Sequence, residues 1–114
     1  MRVLICGDRN FTDKQRICKY VSGLPIGTVI IHGNARGADT LAKECAEEMG
    51  YEVISFPALW DKYGRAAGPI RNQQMLDEGK PDLVVYFHDN LEKSKGTADM
   101  VRRAKKRGLI VKKG

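Results

Sequence analysis

Five short runs rich in Val, Ile and Leu alternate with four helical patterns along this chain, and that alternation constrains the fold more than any other feature. The runs Arg2–Cys6, Thr28–His32, Glu52–Phe56, Asp82–Phe87 and Leu109–Val111 have strand length, and their near-continuous apolar character is that of strands covered on both faces. Between them, apolar residues recur at helical spacing over Asp13–Ser22, Arg36–Met49, Pro69–Glu78 and Thr97–Arg107. Thr12-Asp13 supplies an N-cap, and Pro69 suits a first helical turn, where its missing amide costs nothing. Gly23, Gly50, Gly79 and Gly108 are placed to end the four helices. Strict strand–helix alternation requires right-handed crossovers. The prediction is a Rossmann-like three-layer α/β/α sandwich with a mostly parallel five-stranded sheet, forming one domain over residues 1–114.

No apolar run approaches the ~20 residues needed to span a bilayer, so no membrane partner is expected. Met1-Arg2 leads straight into a strand without the pattern of a signal peptide, and the expected location is cytoplasmic. Cys6, Cys18 and Cys45 each sit within an apolar pattern and show no metal-ligand spacing. They are expected to be buried reduced thiols, and neither a metal nor a cofactor is predicted. The formal net charge of +6 is unevenly placed: all 14 acids lie before Met100, whereas residues 100–114 carry seven of the 20 basic residues. Arg102, Arg103, Lys105, Lys106 and Arg107 alternate with Met100, Val101 and Ala104, the pattern of a solvated face on a final helix. Nucleic acid is therefore the less favoured partner.

Four turns at the expected carboxyl edge of the sheet carry chemistry. In doubly wound sheets ligands bind there, near the point where strand order reverses. Gly7-Asp8-Arg9-Asn10-Phe11-Thr12 follows the first strand; Arg9 suits an anion, and Phe11 either stacks on a ring or staples the first helix. His32-Gly33-Asn34-Ala35-Arg36-Gly37-Ala38-Asp39 follows the second. There Gly33 and Gly37 permit close ligand approach, Arg36 offers a planar cation for phosphate, and Asp39 is an acid able to hold ribose hydroxyls or a proton. The longest connection, from Pro57 to Gly68, holds Trp60, Tyr63 and Arg65, with the aromatic pair suited to a lid, a pocket wall or a core seal. Arg71 and Asn72 follow in a first helical turn, where a cation is unfavourable unless an anion binds nearby. Gly96-Thr97 opens the last helix as a second phosphate-compatible start, and His88 lies in the loop before it.

These segments together resemble the SLOG superfamily, the Rossmann-like group that includes the LOG phosphoribohydrolases and the DprA DNA-processing proteins, and within it the small bacterial and phage YspA-like members. Gly7 to Asp13 is similar to the family's Gly-x-Arg-x-Phe-x-Asp, His32 to Asp39 to its central glycine-rich motif, Gly68 to Met75 to its Gly-x-x-Arg-Asn-x-x-Met, and Gly96 to Met100 to its terminal Gly-Thr element. The resemblance implies a nucleotide or nucleotide-derived ligand, held by Gly7, Arg9, Phe11, Gly33, Asn34, Arg36, Gly37, Asp39, Arg71, Asn72, Gly96 and Thr97. LOG enzymes place a glutamate three residues after their Gly-Thr, where this chain has Met100. Asp99 points about 100° around the helix from that position.

Three functions follow. The preferred one is binding of a nucleotide, for sensing or processing. The second is an N-glycosidase in which Asp39 or Asp99 stabilises an oxocarbenium-like centre. The third is DprA-like binding of nucleic acid through the basic final helix. Nothing in the apolar helices opposes assembly into a homo-oligomer.

Overall fold

The computed structural model describes residues 1–114 and contains one sheet of five parallel strands in the order β3-β2-β1-β4-β5. The strands are β1 (Arg2–Gly7), β2 (Val29–His32), β3 (Glu52–Ser55), β4 (Leu83–Phe87) and β5 (Ile110–Lys113). The helices are α1 (Lys14–Ser22), α2 (Ala38–Glu48), α3 (Trp60–Tyr63), α4 (Ala67–Gly79) and α5 (Gly96–Lys106). The fold is the doubly wound, Rossmann-like sandwich that the alternation predicts. No helix is long and apolar enough to cross a membrane.

The sheet separates two cores. Ile17 and Val21 of α1 and Ala38, Ala42, Cys45 and Ala46 of α2 pack against Val3, Ile5, Ile30, Val85 and Phe87. Met75 and Leu76 of α4 and Met100 and Ala104 of α5 pack on the opposite face against Leu4, Cys6, Ile31 and Val84. Alternate residues of β1 thus enter opposite cores, as the two-residue period of a strand demands. Burial on both faces holds for β1 and β4 but not for the edges: Ile110 of β5 is exposed and no residue of β3 is fully buried. Gly7 lets β1 reach β4 and α2 at once, because a Cβ there would meet the Phe87 carbonyl oxygen and lie 2.8 Å from the Ala38 Cβ.

Local chemistry explains most boundaries. Asp13 caps α1 by accepting from the Arg16 amide at 3.2 Å. α2 begins at Ala38 and not at Arg36, because Gly37 adopts a left-handed φ of 79° that helical backbone excludes. α4 starts at Ala67, ahead of Pro69, which still falls in its first turn, while Arg71 and Asn72 fall in the second turn and not the first as the sequence suggests; the helix also ends differently from the sequence expectation. Lys80 takes the left-handed position at φ 48°, while Gly79 is the last helical residue and is buried. A Cβ on Gly79 would come within 3.3 Å of Ile31, so the helix packs tightly on β2 at that residue.

The cysteines correct the expectation of three reduced thiols. Cys18 of α1 and Cys45 of α2 form a disulfide with Cα atoms 5.2 Å apart, leaving Cys6 as the buried free thiol. The two helices lie side by side on one face of the sheet, so residues 27 apart in sequence meet at their seam. Closing a loop of that length removes entropy mainly from the unfolded chain. Replacing Cys18 and Cys45 together by Ser should therefore cost about 3–4 kcal/mol in urea unfolding. Protein prepared without reductant should present a single reactive thiol in denaturant; three reactive thiols would show that the bridge does not form.

Candidate functional site

β1 lies between β2 and β4, so the chain leaving β1 turns to α1 on one face while the chain leaving β4 turns to α5 on the other. The divergence opens a cleft of about 430 Å³ at the carboxyl ends of these central strands. Its walls are the Gly7–Asn10 loop, Asp39 at the start of α2, Arg71 and Asn72 of α4, and the segment from Lys93 to Thr97. This is the position at which open α/β sheets bind ligands.

This cleft is the inner of two lobes, and Asp39 lies in its floor, 4% exposed, with Oδ2 accepting from the Gly33 amide at 2.8 Å. Arg71 donates to the carbonyl oxygen of the same Gly33, and its Nε donates to Asn72 Oδ1 at 3.1 Å. The guanidinium lies so close over Gly33 that a Cβ there would stand 2.6 Å from Nη1. Burial raises the Asp39 carboxyl to a pKa of about 6, against the opposing pull of the Gly33 amide and the Arg71 charge. Burial also lowers the pKa of Arg71 and pushes the Cys6 thiol far above its ordinary value, which leaves Cys6 a protonated, unreactive part of the floor.

The opposite wall is fixed by Asn72, whose Nδ2 donates to the Gly96 carbonyl at 3.2 Å and to Asp99 Oδ2 at 3.0 Å. Asp99 also accepts from Arg102 at 2.7 Å and Arg103 at 2.8 Å. Its oxygens are thereby committed to holding α4 against the start of α5. Ser94 Oγ caps that start by accepting from the Thr97 amide at 3.0 Å. Arg9, Lys93 and Lys95 face the inner lobe and pair with no acidic side chain.

Past Arg71 the cleft continues into an outer lobe of about 770 Å³, lined in part by Asn34, Pro57, Trp60, Arg65, Ala98 and Arg102. Arg9, Arg71, Asn72, Lys95 and Gly96 border both lobes.

Of the residues singled out in the sequence, Gly7, Arg9, Asp39, Arg71, Asn72, Gly96 and Thr97 line the inner lobe, while Gly33, Asn34 and Asp99 line the outer one. Three depart from expectation. Phe11 packs edge-on against Phe87, with centroids 5.7 Å apart, and beneath the Arg16 guanidinium, so it staples α1 and does not enter the cleft. Arg36 is exposed and borders neither lobe. Gly37 serves packing, since a Cβ there would collide with the Asp8 carbonyl, to which the Ala38 amide donates at 3.1 Å. Sequence reasoning passed over Asn10, Ala35, Ser94 and Lys95 as site residues, although Ser94 and Lys95 immediately precede the Gly96-Thr97 helix start.

His88 lies at the rim of the inner lobe and accepts from the Asn90 amide through Nδ1 at 3.0 Å. His32 is buried beside the site. Its Nδ1 accepts from the Asn34 amide at 3.0 Å, so its proton is on Nε2, 2.7 Å from Ser55 Oγ. A histidine donating to serine is not a base toward it, and the pair is structural. No three His, Cys, Asp or Glu side chains lie close enough together to hold a metal ion.

An all-parallel, doubly wound α/β domain with a polar cleft at the strand switch point describes the class of protein. The model of the YspA, cpYpsA-related SLOG family matches residues 1–63, and Gene 61 protein of Mycobacterium phage D29 is 35% identical over 119 residues, covering 96% of this chain and 93% of that protein. The chain belongs to the YspA, cpYpsA-related SLOG family. The X-ray structure of DNA processing protein A (DprA) from Streptococcus pneumoniae superposes with a TM-score of 0.80 at 21% identity over 98% of this chain. This chain spans about half of that one, 49% of its length, and the likeness is one of fold.

Two buried groups near the cleft titrate in opposite senses. Asp39 has its pKa raised to about 6, so the native state holds a proton that the unfolded chain has released, and the stability this supplies is lost as pH rises from about 4 through 6. Burial lowers the pKa of His32 to about 4, so the stability of its neutral native form is lost as pH falls from about 6.5 through 4. Asp39→Asn keeps an oxygen for the Gly33 amide and removes the first effect. Urea unfolding should find this variant near wild-type stability at pH 4 and up to about 3 kcal/mol more stable at pH 8. A difference independent of pH would show that the Asp39 carboxyl titrates normally.

Proposed function

We propose that this domain, residues 1–114, binds a nucleotide or nucleotide-derived small molecule in the inner lobe. The observation carrying the reading is the convergence, in one lobe, of the unpaired cations Arg9, Lys93 and Lys95, the start of α5 and the buried carboxylate of Asp39. Phosphate is the anion suited to the cationic wall, with Thr97 supplying a hydroxyl and α5 its positive end. A ribose diol is the neutral partner suited to the Asp39 carboxylate of the same lobe. A volume of about 430 Å³ lies within the roughly 300–1,000 Å³ range of small-molecule sites. Family membership and the shared DprA fold support a nucleotide or nucleic-acid role in general, and the cleft chemistry favours the small molecule. Along α5, Arg102 and Arg103 are drawn to Asp99 and Arg107 to Asp77, which reduces the charge available to a nucleic-acid backbone.

Binding, and not hydrolysis, is the activity proposed. Met100 contributes a thioether to the inner lobe where the LOG resemblance implies a catalytic glutamate, and a thioether neither holds charge nor transfers a proton. Asp99 is committed to Asn72 and two arginines.

Thermal-shift measurements with nucleoside monophosphates should detect the ligand class, since saturation at 100 times Kd adds about 2.7 kcal/mol of stability. By calorimetry with AMP, replacing Arg9 and Lys95 together by Ala should weaken binding by roughly 1.5–3 kcal/mol, whereas Arg36→Ala should change Kd less than about twofold. Loss of binding in Arg36→Ala alone would return the phosphate to the turn after β2. Chromatography of long incubations with AMP should show no enzyme-dependent release of adenine; release that Asp39→Asn abolishes would establish a glycosidase.

A further inference from the structure

The outer lobe is larger than the inner one and has different chemistry. It contains Trp60, the sole tryptophan of the chain, which is 54% exposed on a four-residue helix that buries none of its residues. A large aromatic left so open contributes little to the core, yet its position is defined: a Cβ on Gly68 would lie 3.5 Å from its Cη2. Arg65, which pairs with no acid, lines the same lobe. The one acid there, Asp99, is engaged by Arg102 and Arg103. The two lobes meet at Arg9, Arg71, Lys95 and Gly96, where positive charge and a helix start converge.

An exposed aromatic face and a free guanidinium lining one lobe, next to a cationic seam, suit a second planar ring joined to the first nucleoside through phosphates. We propose that the cleft takes a pyrophosphate-linked dinucleotide. One nucleoside occupies the inner lobe, the bridging phosphates lie at Arg9, Lys95 and the start of α5, and the second base stacks on Trp60 with Arg65 alongside. This rests on the nucleotide reading of the inner lobe and specifies the size and form of the ligand. A discrete ligand suits the site better than a nucleic-acid strand, because the cations leading away along α5 are partly neutralised by Asp99 and Asp77.

Because Trp60 is the only tryptophan, its fluorescence reports on the outer lobe alone. The folded protein is titrated with AMP, with diadenosine pyrophosphate and with a short single-stranded oligodeoxyadenylate, and each affinity is measured by calorimetry. Diadenosine pyrophosphate should quench Trp60 and bind at least about tenfold more tightly than AMP, which should leave the fluorescence nearly unchanged. Trp60→Ala and Arg65→Ala should each weaken the dinucleotide about tenfold while leaving the AMP Kd within about twofold. If AMP binds but the dinucleotide gains nothing, or if both variants retain full dinucleotide affinity, the two-ring proposal fails and the mononucleotide reading stands. If neither nucleotide binds, both readings fail. Quenching by the oligodeoxyadenylate without quenching by the dinucleotide would make the outer lobe a strand-binding groove and overturn the proposal.

Discussion

The peptide groups on either side of Gly33 tie three elements of the site together. Its amide donates to Asp39 on α2, its carbonyl accepts from Arg71 on α4, and the residue itself follows the last residue of β2. Each partner draws its own helix toward the same point, so the floor of the cleft, the start of α2 and the second turn of α4 depend on one backbone segment. A side chain at this position would displace the guanidinium, because Arg71 lies where a Cβ would stand. The geometry also commits the amide to a resident carboxylate. Part of the anion-binding capacity suggested by the glycine-rich turn is thus consumed within the fold, and the positive charge left for a ligand comes from Arg9, Lys93 and Lys95.

That division separates cations that hold the fold from cations available to a site. Arg16, Lys14, Arg102, Arg103, Arg107 and Lys113 are drawn to carboxylates over the surface, mostly in exposed pairs of the kind typically worth about 0–1 kcal/mol. Arg9 and Lys95 stand on loops after β1 and before α5 without such partners, and both border the two lobes. The sequence places most of the excess basicity at the end of the chain, while the structure places the uncommitted charge of the cleft elsewhere.

The fold was legible because β1, β2 and β4 are buried runs with clear apolar identity, and because α1, α2, α4 and α5 each present a periodic apolar face. The helix α3 was not, since four residues cannot express a helical period. Gly7, Arg9, Asp39, Arg71, Asn72, Gly96 and Thr97 could be assembled into one site because strand-to-helix turns at the carboxyl ends of a parallel sheet necessarily converge. Which way a side chain leaves such a turn was not legible. Arg36 is three residues from Gly33 but is followed by Gly37, whose left-handed backbone and contact with the Asp8 loop set the direction of the chain. The Cys18–Cys45 bridge was hidden for another reason: it depends on two helices sharing a sheet face, a relation that no local spacing encodes.

The placement of Asp39 shows what the site costs the fold. A carboxylate 4% exposed loses most of its hydration, and its amide partners and Arg71 recover only part of that loss, which is why its pKa rises to about 6. A neutral side chain of the same shape would satisfy Gly33 without this penalty. Above pH 6 the native protein therefore carries a charge that works against its own stability. Its position in the inner lobe, which Arg9 and Lys95 also line, gives that charge a use: it offers a strong acceptor to a ligand while the cations hold that ligand's negative end. Stability surrendered at a single buried group accounts for a cleft that holds both signs of charge.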